Sequence, residues 1–155
     1  MASGLPWFAM EISGLPLHPL VVHAAVIFGP IGALTAVAYA ALRGWRDRLR
    51  MPMVALALLA TGSVVAAYLT GRNFLESRPE LSQKPMMATH EARAELLLWL
   101  TLGFGAVALA AGWMHTRAGA ARVAIRVLLG LAAAAVLVSV VLTGDAGTRA
   151  VWESL

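Results

Sequence analysis

An all-α integral membrane four-helix bundle is the fold class this sequence predicts, and three observations predict it. Hydrophobic residues make up 60% of the 155 and charged residues only 13%, with a mean hydropathy of +0.77, a balance foreign to soluble domains. The apolar residues gather into four long runs, near the ~20 residues a bilayer core requires of a helix. Arginines collect between the runs, where they act as topology determinants.

The same numbers exclude several classes. A net charge of +4 and a pI near 10.7 would suggest nucleic acid in a soluble chain, but the basic residues flank spans and leave no basic face for DNA or RNA. The absence of cysteine removes disulfides, thiolate metal sites and thiol catalysis, leaving histidine, carboxylate, methionine and backbone as ligand chemistry.

Residues 1–17 hold Gly4-Leu5-Pro6, Gly14-Leu15-Pro16, Trp7-Phe8 and one charge, Glu11. With no basic n-region this is a poor signal peptide, and its aromatic pair suits a short segment in the headgroup zone of the outer face. The four-span domain is expected over 18–145, with a short outer-face tail over 146–155. Its first span runs from Pro19, a favoured first helical residue, to about Leu42, and Pro30 at mid-span predicts a kink. Arg43-Gly44-Trp45-Arg46-Asp47-Arg48-Leu49-Arg50 reads as a membrane-flanking loop. The second span is expected over Pro52–Leu69 and ends in Thr70-Gly71, followed by a polar connection from Arg72 to Thr89. Thr89 is the expected N-cap of the third span, with Glu91 in its first turn; this span continues to His115. Arg117, Arg122 and Arg126 mark the next loop, and Val127–Leu142 forms the fourth span.

The two arginine loops carry seven arginines and one acid, against five Lys or Arg and seven acids on the opposite side. Because topology follows Lys and Arg near the spans, both termini are expected outside, in a bacterial plasma membrane. The chain also reads as two similar halves. Each opens with a histidine (His18, His90), turns through arginines and returns to Leu-Thr-Gly (69–71, 142–144); the histidines are 72 residues apart and the triplets 73. Two-span halves share an orientation, so the repeat would be parallel.

Histidine carries whatever site chemistry there is. Histidines at membrane depth are uncommon and generally face a bundle interior, and His18, His23 and His90 all fall near the outer face, whereas His115 lies at the other end. On an unbroken helix His18 and His23 are about 140° apart and do not share a face. His18 lies over Ala25, Gly29, Gly32 and Ala36, a small-residue stripe that either admits a neighbouring helix or leaves room for a flat cofactor. The plausible occupants are a b-type haem with two axial imidazoles, or a copper, iron or zinc ion with Asp145, Glu91 or Glu95 completing the shell. Glu91 and Glu95, one turn apart beside Arg93, read first as residues that solvate the helix mouth and only second as ligands. His90-Glu91 is not a zincin motif, since Ala94 stands where a second histidine belongs, and no phosphate-cradling loop, nucleophile elbow or dinucleotide fingerprint is present.

Leu17-His18-Pro19-Leu20-Val21-Val22-His23, His90 opening the third span, and Thr143-Gly144-Asp145-Ala146-Gly147 with Val151 resemble the bacterial membrane proteins grouped as domain of unknown function 2231, over about residues 15–152. The chain departs from that pattern at Ala24-Ala25, where the family commonly has phenylalanine and proline, and in lacking its glycine pair and His-Gly tail. The resemblance implies a four-span bacterial membrane protein, sometimes found with cytochrome domains, and no established reaction. Two functions from different classes are therefore expected: a haem- or metal-binding electron-transfer protein with its site at the outer face, using His18, His23, His90 and Asp145, or a non-catalytic membrane subunit or anchor. Either has the lipid bilayer as its surroundings. Other membrane redox subunits or cytochromes are the partners in view, and homo-oligomerisation stays open.

The topology can be checked directly, because the chain has no cysteine of its own. Single cysteines at Ala2, Gln83 and Ser154 should react with an impermeant thiol reagent on intact cells, and a cysteine at Gly119 should not; the reverse pattern inverts the orientation.

Overall fold

Proline and arginine set where the helices begin. The computed structural model describes residues 11, 12 and 15–152, with the side chains of Glu11, Ile12, Leu15 and Ser82 excepted. Most of the expected interfacial segment, Trp7 and Phe8 included, lies outside the described residues; within it Glu11–Ile12 (β1) and Leu15–Pro16 (β2) pair as a minimal antiparallel ladder. Helix α1 spans Leu17–Ala41, and Pro30 sits inside it without interrupting it. A 3₁₀ turn, Arg43–Trp45, leads into α2, Arg46–Glu76. The expected arginine loop is thus mostly helix: Arg46 to Arg50 wind as the first turns of α2, ahead of Pro52. A four-residue helix α3, Pro79–Ser82, precedes α4, Pro85–Trp113. Pro85 starts α4 because its fixed φ suits the first turn and its missing N–H has no partner to lose there. Thr89 therefore lies inside the helix and does not cap it; the N-cap is Lys84. After a connection in which Gly119 takes φ +97°, α5 runs Ala120–Trp152, so the expected tail continues as helix to Trp152.

All four long helices are long and apolar enough to cross a membrane. Helix α1 packs on α2 and α5, and α4 packs on α5 and α2. The ring order is therefore α1, α2, α4, α5, with α1 diagonal to α4 and α2 diagonal to α5. Two ends result: a histidine end with the starts of α1 and α4 and the finishes of α2 and α5, and an arginine end with the converse.

In hydrocarbon, lipid tails are as apolar as leucine, so helices gain nothing by hiding apolar surface from water and associate by close packing and interhelical hydrogen bonds. The core accordingly runs to Ala25, Ala33, Ala36, Ala57, Ala60, Ala108, Ala111 and Ala133 around Tyr39, Met53, Phe104 and Leu129. Large side chains such as Ile27, Ile31, Leu34, Leu131, Val138 and Val141 point outward, as a lipid-facing surface demands. The stripe below His18 serves helix approach: a Cβ on Gly32 would lie 2.9 Å from the backbone oxygen of Leu56 in α2, and one on Gly29 would lie 3.2 Å from Val140 in α5.

Burial also resolves the repeat. Each position buried in α1 recurs 72 residues on in α4: Ala25 with Leu97, Gly29 with Thr101, Gly32 with Phe104, Ala33 with Gly105, Ala36 with Ala108, Tyr39 with Ala111. For α2 and α5 the shift is 76: Met53 with Leu129, Ala57 with Ala133, Ala60 with Val136, Val64 with Val140, Thr70 with Ala146. The chain is a parallel repeat of two hairpins about the bundle axis. The Leu-Thr-Gly echo, at a shift of 73, is out of step with it.

Gly32 and Gly62 separate packing from propensity. Alanine at Gly62, where nothing lies within 4 Å, should raise thermal stability by about 0.5–1 kcal/mol through helix propensity. Alanine at Gly32 should instead lower it by about 1–3 kcal/mol, since α1 and α2 must part to admit the methyl. Melting of both variants in one detergent checks the difference in sign.

Candidate functional site

His18 and His90 occupy equivalent places at the histidine end, each set on the first turns of its hairpin's first helix and aimed at the second. The His18 ring donates from Nδ1 to the carbonyl of Ala67 in α2 at 3.0 Å, with Thr70 Oγ1 at 3.3 Å. The His90 ring donates from Nδ1 to the carbonyl of Thr143 in α5 at 3.2 Å. Ala67 and Thr143 are themselves related by the shift of 76.

One turn beyond each carbonyl stands a glycine against which the ring lies. A Cβ on Gly71 would be 2.9 Å from His18 Cε1, and one on Gly147 would be 3.0 Å from His90 Cε1. Only glycine admits an imidazole at that depth between the helices. A carbonyl oxygen can only accept, so the ring proton sits on Nδ1 in both histidines, and in the neutral ring Nε2 keeps its lone pair. Fixing one ring nitrogen on a backbone carbonyl is how a ligating imidazole is commonly oriented through its other nitrogen. His18 and His90 lie at the same end of the bundle, on the diagonal helices α1 and α4. Phe74 stacks on His18 with ring centroids 6.2 Å apart, and the Arg78 guanidinium lies over the Phe74 ring at 4.6 Å.

The remaining sequence candidates are placed elsewhere. His23 is exposed on the outward stripe of α1 with Val26 and Ile27, and its Nδ1 donates to the carbonyl of Pro19 at 2.6 Å. Asp145, the candidate metal ligand, is held by two cations, Arg149 Nε at 3.0 and 3.1 Å and Arg93 at 3.7 Å. Arg93 also donates to the carbonyl of Leu142 at 2.7 Å, and Thr143 Oγ1 donates to the carbonyl of Arg93 at 3.2 Å, so the mouth of the second hairpin is laced shut. Glu91 and Glu95 are exposed. Among the described residues no three His, Asp or Glu side chains converge as a metal site.

His115 stands at the arginine end. Its Nε2 meets Asp47 Oδ1 at 2.7 Å and its Nδ1 meets the hydroxyl of Tyr39 at 2.9 Å. Tyr39 is buried, and its hydroxyl also reaches the carbonyl of Ala111 at 3.3 Å, which joins the diagonal pair α1 and α4. A tyrosine inside an apolar run gives no sign in sequence of which helix it will touch, and this network was not foreseen. Gly71 and Gly147 were missed as well; the signal that finds them is the shift of 76, which also aligns Arg46 with Arg122 and Arg50 with Arg126.

Fold and site together define a class, a multi-pass membrane protein of two repeated helical hairpins with an imidazole locked at the mouth of each. The chain belongs to the family described as predicted membrane protein, domain of unknown function 2231, whose model matches residues 14–154. No curated protein and no solved structure matches it.

The ring geometry predicts that nitrogen NMR of histidine-labelled protein reports the Nδ1-protonated tautomer for both His18 and His90. Gly71→Ala should shift the His18 signals and Gly147→Ala the His90 signals, each leaving the other ring as it was. A ring protonated at Nε2 in the unliganded protein contradicts the assignment.

Proposed function

We propose that the chain is a membrane electron-transfer protein that holds a b-type haem through His18 and His90. The observation that carries this reading is the pair of imidazoles, equivalent in the two repeats, each fixed through Nδ1 to a carbonyl of the partner helix and each left with Nε2 as its donor. Two such imidazole donors on opposite helices of a bundle would suit a haem iron. The donor count favours haem over a bare copper, iron or zinc ion, because an ion needs a third and fourth ligand and Asp145 is already engaged by Arg93 and Arg149. Helices α2 and α5 approach closely on the stripe below His18, so a haem would have to be held at the mouth of the bundle. When bound, the haem supplies one-electron chemistry. His18 and His90 would hold and orient it, while Ala67, Thr143, Gly71 and Gly147 fix the imidazoles. The setting in this proposal is a bacterial plasma membrane with the histidine end outside, where other membrane redox subunits or cytochromes are the partners.

A second reading draws on the same bonds. Each imidazole ties the two helices of its hairpin together, and that is sufficient work for a non-catalytic membrane subunit or anchor. Interhelical hydrogen bonds in membranes contribute only about 0.6 kcal/mol on average, so removing either imidazole should leave the bundle folded and both readings testable on the same variants.

Protein purified from haem-replete cells should show a Soret band, with sharp α and β bands on reduction. The spectrum should be lost in His18→Ala and in His90→Ala and kept in His23→Ala, with all three variants helical. A colourless preparation, with the His18→Ala/His90→Ala variant assembling normally, leaves the subunit reading in place.

A further inference from the structure

The arginine end holds a charge that the protein itself leaves uncompensated. Arg46 and Arg50 on α2 and their repeat equivalents Arg122 and Arg126 on α5 all lie within electrostatic range of Tyr39, and Arg46 feels Arg43, Arg122 and Arg126. The single acid in these arginine segments, Asp47, is joined to His115.

Two of the four arginines spend donors on the open carbonyls at helix ends. Arg46 reaches the carbonyls of Tyr39 and Ala40 at the finish of α1, at 3.2 and 2.9 Å, and Arg50 reaches the carbonyl of Gly112 at the finish of α4, at 3.0 Å. By the repeat, Arg122 should serve the finish of α4 as Arg46 serves that of α1. Those carbonyls are already engaged: Tyr39 sits on Ala111 and Arg50 on Gly112. Among the described residues Arg122 Nε is buried with no hydrogen-bond partner, while Arg126 Nε donates to the carbonyl of Arg122 itself.

A buried guanidinium nitrogen without an acceptor, among like charges, calls for an anion from outside the chain. The exposed indoles of Trp45 and Trp113, at the same end, set its depth at the headgroup layer, where such rings concentrate. A phosphodiester matches the guanidinium fork, and basic sites between spanning helices suit anionic headgroups.

We propose that Arg122, with Arg126, Arg46 and Arg50 of the same end, binds the phosphate of an anionic phospholipid at the arginine end of the bundle. The site rests on different residues from the haem proposal and stands independently of it.

Native mass spectrometry of the delipidated full chain, titrated with phosphatidylglycerol or phosphatidylcholine, tests it. One phosphatidylglycerol should be retained in preference to phosphatidylcholine. Arg122→Gln should weaken that binding by about tenfold, the loss expected for a charge-assisted hydrogen bond, and Arg122→Lys by less. Arg48→Gln removes an exposed arginine of the same end, stacked on Trp45 at 5.6 Å, and should change binding by less than about twofold. Circular dichroism of each variant confirms that it is folded, and Arg122→Lys serves should Arg122→Gln fail. Equal retention of the two lipids, or equal losses from Arg48→Gln and Arg122→Gln, overturns the site in favour of diffuse charge. Displacement of the lipid by millimolar inorganic phosphate overturns the lipid in favour of a free anion.

Discussion

Backbone proximity is the constraint on which this fold depends. In a bilayer, two helices must come close enough for dispersion and short polar contacts to outdo their contacts with lipid, and here that closeness is obtained at a few small residues. Gly32 brings α1 onto the backbone of Leu56, Gly29 lets Val140 of α5 approach, and Gly105 meets the hydroxyl of Thr61 across the α2–α4 contact. Interhelical polar bonds cluster at the two ends, beside one at mid-bundle from the Thr61 hydroxyl to the carbonyl of Thr101 at 3.2 Å. The imidazoles of His18 and His90 close the hairpins at one end, and Tyr39, His115 and Arg50 join α1, α2 and α4 at the other.

Much of this architecture was legible before any coordinates. Length and apolarity are properties of a segment alone, so the four spans, their order and the separation of His115 from the other histidines all follow from the sequence. The bounds were less accessible: arginines that look like a loop can wind the first turns of a helix, as Arg46 to Arg50 do, and Pro85 starts α4 four residues before the threonine that resembles a cap. The repeat was visible through His18 and His90, but its second anchor was misplaced. Leu-Thr-Gly draws the eye at a shift of 73, whereas contacts obey 76, and only burial distinguishes a coincidence of letters from an equivalence of positions.

The candidate site divides along the same line. His18 and His90 were nameable because a histidine at the mouth of a span is chemically conspicuous. Gly71 and Gly147 were not, because their contribution is the absence of a side chain beside a ring, and that has no meaning until the facing helix is known. Asp145 was conspicuous too; its neighbours on α4 and one turn along α5 decide that its charge goes to arginines. The 140° between His18 and His23 did separate them as helical geometry requires, one turned to α2 and the other outward.

Two hairpins that bury matching positions are, in geometric terms, a dimer whose subunits have been spliced end to end through residues 77–84. A true dimer must place identical side chains on both sides of its axis. The spliced chain is released from that rule, and it has used the freedom: Tyr39 faces Ala111, His23 corresponds to Glu95, Phe74 to Ala150. Any molecule seated on the axis meets two unlike walls and is bound in one orientation, a polarity that no symmetric assembly of the same hairpin could impose.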